Sequence, residues 1–160
     1  MINPVIDAMV SGIKAGFASQ DLPLMQCQRH GGPITMEQLQ TYGANAPAVL
    51  VAVLRLRNLR KSGRDGIAYD LDMGAYPIAT PSGQFDQHQQ AARMIDVLLG
   101  KDRGILPNAR WGRTDCLPVP LDSISASNLY SGTVGTSGLA LWGIAWHQPV
   151  DTNPNSQPNP

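Results

Sequence analysis

The sequence predicts an α+β fold: a single, mostly antiparallel sheet with two main helices packed on it and a projecting β-hairpin arm. Three observations lead there. Apolar residues recur at helical spacing in two segments, one near the start of the chain and one between about residues 85 and 99. Strand-like runs lie between and after them, and the order helix, strands, helix, strands suits helices lying on one sheet. Finally, Ala48 to Ala75 reads as two long strands joined by the turn Ser62-Gly63-Arg64-Asp65-Gly66.

A chain of 160 residues is long enough for one domain with a real core and too short for two comfortable ones. We expect a single α+β domain over 1–150 and a disordered tail over 151–160, whose Pro/Asn-rich composition has nothing to bury. With 42% apolar and 15% charged residues, the chain is globular in composition. Twelve basic residues balance twelve acidic ones, so any electrostatic role must come from local clustering. The longest apolar stretch falls far short of the roughly 20 residues that span a bilayer, and no basic region precedes an apolar run at the start. No membrane association and no secretory leader are therefore expected.

Taken in order, Asn3-Pro4 should open the first helix, with Asn3 as cap and Pro4 in the first turn. Ile6, Met9, Val10, Ile13 and Phe17 then give one apolar face through about Ala18. Asp7 and Lys14 suit the helix dipole. Leu24 to Arg29 reads as a short strand closed by His30-Gly31-Gly32-Pro33. Thr35, Glu37 and Leu39 suggest a short helical turn ending near Gly43. Pro47 introduces the first arm strand, and its second strand continues through Ala79 with Pro77 at an edge or bulge. Thr80 or Ser82 should cap the strongest helix, whose stripe is Phe85, His88, Ala92, Ile95 and Leu99, supplemented by Ala91, Met94 and Leu98. Gly100 supplies a left-handed stop. Residues 101–123 are rich in Pro and Gly, with a short strand expected within Arg110 to Leu117. Ile124 to Val134 is a weak strand, Gly135-Thr-Ser-Gly138 a turn, and Leu139 to Gln148 a clear strand with Ala140, Trp142, Ile144 and Trp146 on one face.

The arm holds five of the twelve basic residues: Arg55, Arg57, Arg60, Lys61 and Arg64. One register puts Arg55 opposite Asp72, Leu56 opposite Leu71 and Arg57 opposite Asp70, so that opposite charges and like apolar groups coincide. These seven charged residues are the candidate interaction site. Arginines match carboxylates or phosphates bidentately, so such an arm suits docking; the plainer reading is a solvated hairpin neutralised by Asp65, Asp70 and Asp72. Aromatic residues that would stack on bases are missing from the cluster.

Other chemistry finds little support. Asp70 and Asp72 share a strand face, as nuclease carboxylates do, but their expected neighbours are arginines and not further ligands. Cys27 and His30 lack a second ligand pair for zinc, and Cys27 and Cys116 read as free thiols. Gly132 to Gly138 lacks the Lys-Ser/Thr ending of a phosphate loop and precedes a strand. No nucleophile elbow is present, and His30, His88 and His147 each have a structural place. We expect no enzyme, no metal and no cofactor.

The helix Pro4–Ala18, the segment ending His30-Gly31-Gly32, the strand Pro47-Ala-Val-Leu-Val-Ala-Val53, the helix Ala91-Ala-Arg-Met-Ile-Asp-Val-Leu-Leu-Gly100 and the strand Gly138-Leu-Ala-Leu-Trp-Gly-Ile-Ala-Trp-His-Gln148 together resemble the tail terminator family of Mu-like bacteriophages and prophages. The likeness spans roughly residues 1–150 and rests on apolar patterns and their order. It implies a virion structural protein: a homo-oligomer, a hexameric ring, on the last ring of the tail tube. Such a ring ends tube polymerisation and presents a head-tail joining surface, with the tail tube protein and the head-tail connector protein as partners and transient contact with DNA in the lumen. It would act at the head-proximal end of the tail, after assembly in the host cytoplasm. The basic arm and the Pro/Asn tail fit the family less well. Two other readings are a head-completion or neck adaptor and a DNA-binding accessory protein that uses the arm.

Overall fold

The computed structural model describes residues 2–32, 34–129 and 138–153. In chain order the elements are α1 (Asn3–Ser19), β1 (Gln26–Arg29), α2 (Met36–Gly43), β2 (Ala48–Ser62), β3 (Gly66–Ala79), α3 (Gln87–Leu99), a single 3₁₀ turn (Leu121–Ser123), β4 (Ser125–Asn128) and β5 (Ala140–Asp151). The strands form one five-stranded sheet in the order β1-β2-β3-β5-β4. The β1–β2 pair is parallel, and the other three pairings are antiparallel. This is the α+β architecture expected from the element order.

Period-two alternation divides the sheet into two apolar faces. Val49, Val51, Tyr69, Leu71, Met73, Ala75, Ile144 and Trp146 join the α1 residues Val5, Met9, Ile13 and Phe17 and the α3 residues Ala91, Met94, Val97 and Leu98 in the main core. On the other face a smaller cluster packs Leu39 of α2 against Ala48, Leu50, Ile78, Leu139 and Leu141. Because both faces are covered there, the first five residues of β2 are all buried, as their near-continuous apolar run requires.

Several local expectations change. Asn3 is the first helical residue rather than the cap, and its Oδ1 accepts from Arg29 Nη1 at 3.1 Å. That link draws α1 onto the end of β1, where Arg29 Nε also donates to Asp7 Oδ1 at 2.8 Å. In α1 the buried stripe runs through Val5 rather than Ile6 and Val10, which are half-buried. Neither Thr80 nor Ser82 caps α3. Asp86 does, in a reciprocal box in which its carboxylate accepts the Gln89 N–H while the Gln89 side chain takes the Asp86 N–H. Starting there turns the helix so that Gln90, Ala91, Met94, Val97 and Leu98 are buried while His88 and Ala92 are exposed. Gly100 sits at φ −52° and is no left-handed stop. The Thr35 helical turn is found as α2, opened by the same kind of box with Gln38.

Residues 101–119 form no helix or strand, and at Asp115 and Leu117 they hydrogen-bond along the end of β5, to Asp151 and Pro149. Within Arg110 to Leu117 only Cys116 makes a ladder contact, an isolated bridge to Val150. Trp111 Nε1 donates to the fully buried Gln148 Oε1 at 2.7 Å, and Gln148 Nε2 donates to the carbonyls of Leu117 and Pro149. A buried amide is thereby fully engaged, which avoids the cost of an unpaired polar group. Of the weak strand expected over Ile124 to Val134, Ser125–Asn128 is strand; residues 130–137, including most of the glycine-rich loop, lie outside the described residues. Residues 151–153, expected in the tail, are bonded to the sheet. Asp151 closes β5, and Thr152 exchanges bonds with both the N–H and the carbonyl of Ile67. From Pro154 on, the tail lies outside the described residues.

Candidate interaction surface

The arm is built from β2 and β3, and its register is the one the charge pattern favours: Arg55↔Asp72, Leu56↔Leu71 and Arg57↔Asp70. Two irregularities interrupt it, between Val53 and Arg55 and between Arg57 and Arg60. The second leaves Asn58 at φ +55°, a left-handed conformation that Asn tolerates better than most side chains. The bulge aims the Asn58 amide inward, where Nδ2 donates to Asp70 Oδ2 at 2.6 Å.

Facing residues and ion pairs do not coincide. Arg57 lies opposite Asp70, yet its Nη2 donates to Asp72 Oδ1 at 2.7 Å, on the diagonal within reach of a long side chain. The same Nη2 lies 3.0 Å from Nδ1 of His147, which β5 places opposite Asp72. Nδ1 also lies 3.4 Å from Asp72 Oδ1, and Nε2 faces Asp70 Oδ1 at 3.5 Å. The main-chain N–H of His147 donates to Ser123 Oγ at 3.2 Å, which ties the 3₁₀ turn to this patch. Asp70, Asp72, Arg57, Asn58 and His147 thus form one polar network spanning three strands. His147 was invisible as a member because its place depends on pairing between β3 and β5, far apart in sequence.

The network uses up the two carboxylates. Among the described residues, no group of three or more His, Cys, Asp or Glu is placed to hold a metal ion. The remaining candidates point outward: Arg55, Arg60, Lys61 and Arg64 are exposed, and Arg60 Nη1 donates to the Asn58 carbonyl at 3.1 Å. Of the seven charged arm residues, the structure therefore joins Arg57, Asp70 and Asp72 and leaves four cations on the rim.

What composition did not reveal is the apolar character of the same rim. The β1 strand pairs with β2 only at Ala48–Val51, so beyond that point β2 has an edge left unpaired among the described residues. There Leu54, Leu56 and Leu59 are 48%, 36% and 60% exposed, and Ile67 across the hairpin is 42% exposed. The inner strand is different. β5 flanks β3 as far as the Ala68↔Asp151 pair, and Tyr69 and Leu71 are buried. The arm is a three-stranded extension of the sheet with one open margin.

The other polar candidates have structural places. His30 packs edge-on to the rings of Tyr42 and Tyr76, and His88 is exposed on α3. Cys27 and Cys116 are free thiols. Burial pushes each up to about 11; Lys14 opposes the shift at Cys27, while Asp115 adds to it at Cys116. Such thiols are poor nucleophiles at neutral pH. No helix of the described residues is long and apolar enough to cross a membrane. No protein-family model matches the chain, and no curated protein matches it in sequence.

Proposed function

We propose that this protein is a structural assembly subunit of the phage tail terminator kind, which forms a ring at the head-proximal end of a tail tube. The observation that carries the reading is the open β2 margin, where exposed Leu54, Leu56 and Leu59 are interspersed with Arg55, Arg60 and Lys61, none of them ion-paired among the described residues, along a strand edge that no described strand covers. Isolated folds generally protect such edges, and an exposed one is a template for pairing with another chain. The polar network beside it works against chemistry: each carboxylate is held by a cation, an amide or an imidazole, and the arrangement stiffens the base of the arm. The resemblance in apolar pattern supplies the tail context; contact with the tube and connector proteins belongs to the same proposal.

The test is electron microscopy of particles made without this protein. Overlong or headless tails are expected, and tails of normal length that join heads would reject the role. A second reading, DNA binding, is favoured by one observation: Arg55, Lys61 and Arg64 form no ion pair among the described residues. It predicts duplex binding that weakens steeply with salt and with replacement of Arg55, Arg60, Lys61 and Arg64 by Ala.

A further inference from the structure

We infer that the arm tip of one subunit docks on the Leu121–Asp122 corner of a second copy, so that subunits join head to tail. This names the contact that the ring reading needs and rests on that reading. At the arm tip, exposed Leu59 and Ile67 with Arg60 and Lys61 line a shallow depression of about 260 Å³. It offers apolar surface framed by positive charge. On the opposite margin of the sheet, Leu121 is 61% exposed, Asp122 beside it is exposed, and the exposed strand Ser125–Ser127 follows. That corner offers a leucine beside a carboxylate, the complement of the tip in both respects.

Other pairings of two copies fit less well. Joining two arm edges about a two-fold axis sets Arg55, Arg60 and Lys61 against themselves, and like charges facing across strands repel. The β1 edge lies on the same margin as the arm, and its terminal Arg29 is already paired with Asp7. On the far side of the sheet, the β4 margin carries an exposed acid, Asp122, next to a large exposed apolar side chain, Leu121. Two different surfaces on opposite margins favour a heterologous contact, which closes into a ring or runs on as a filament. The bulge at Asn58 leaves only the short stretch Arg60–Ser62 in regular register at the tip, which limits indiscriminate edge pairing.

Sedimentation velocity on purified full-length chain tests the contact, with Leu59→Asp and Asp122→Arg as variants. Both positions are exposed, so both proteins should keep the wild-type circular dichroism spectrum. Each variant alone should associate at least about tenfold more weakly than wild type. Mixed in equal amounts they should form a one-to-one dimer and nothing larger, because each retains the surface the other has lost. Wild-type assembly by both variants would overturn this contact, as would a mixture that stays monomeric. So would a wild-type chain monomeric at about 1 mM, a concentration that reveals even millimolar affinities. These outcomes leave the tail-capping role to be judged separately by tail length in particles lacking the protein.

Discussion

Leu71→Ala is the sharpest test of how the arm is held. Leu71 is fully buried, packed in the main core, and flanked by Leu56 on β2 and Gln148 on β5. Removing its isobutyl group forfeits the transfer free energy and leaves a cavity that β5 prevents from collapsing, a cost of about 3 kcal/mol. Its cross-strand neighbour Leu56 is 36% exposed, so Leu56→Ala loses only part of a leucine's transfer free energy and leaves no enclosed void, about 1 kcal/mol. Leu59, 60% exposed, should change stability by less than about 0.5 kcal/mol. Urea unfolding followed by circular dichroism reads all three as shifts of the midpoint at constant slope. In thermal melts Leu71→Ala should lower the midpoint by about 10 °C for a domain of this size. An unsupported two-stranded ribbon would make Leu71 and Leu56 equally cheap to truncate. Equal losses for the two would refute the three-stranded account of the arm.

Three further outcomes are expected. Arg57→Ala should cost about 1 kcal/mol, held down by solvent screening of a half-exposed pair, and adding His147→Ala should cost less than the sum of the two, which a double-mutant cycle in urea measures. Asp86→Ala removes the cap of α3 and should lower stability by about 1 kcal/mol without changing the sheet signal in the infrared. At alkaline pH the two thiols, pushed up to about 11 in the fold, stay protonated while those of the unfolded chain ionise from their ordinary value of 9.0. The unfolded state then binds fewer protons, so stability falls as pH rises from about 9 to about 11; the Cys27→Ala/Cys116→Ala variant should flatten that slope.

The arm's register was legible because a tight turn and alternating charge act within one short stretch of chain. Arg55, Leu56 and Arg57 find their facing partners on those local grounds alone. The diagonal Arg57–Asp72 link was not legible, since it depends on a bulge and on His147 arriving from β5. The face of α3 was half legible. Two overlapping stripes are apolar, and the one that is buried was decided by where Asp86 starts the helix and by packing against β3 and β5. Thr152 read as loose tail because its partner, Ile67, lies 85 positions away. The open margin of β2 escaped notice for a similar reason: how little of that strand β1 covers is a fact of the sheet, not of composition.

The position of β5 has a consequence for how the molecule is made. It is the last of the described strands in chain order, yet it lies inside the sheet between β3 and β4. Ala68 must therefore wait for Asp151 before its second backbone partner exists. Until then β3 presents a long, largely apolar side to whatever is nearby, and closing so large a loop is slow. Newly made chains should be most vulnerable to clumping in that interval, and stalled or shortened products lacking β5 should be cleared or lost rather than join any assembly.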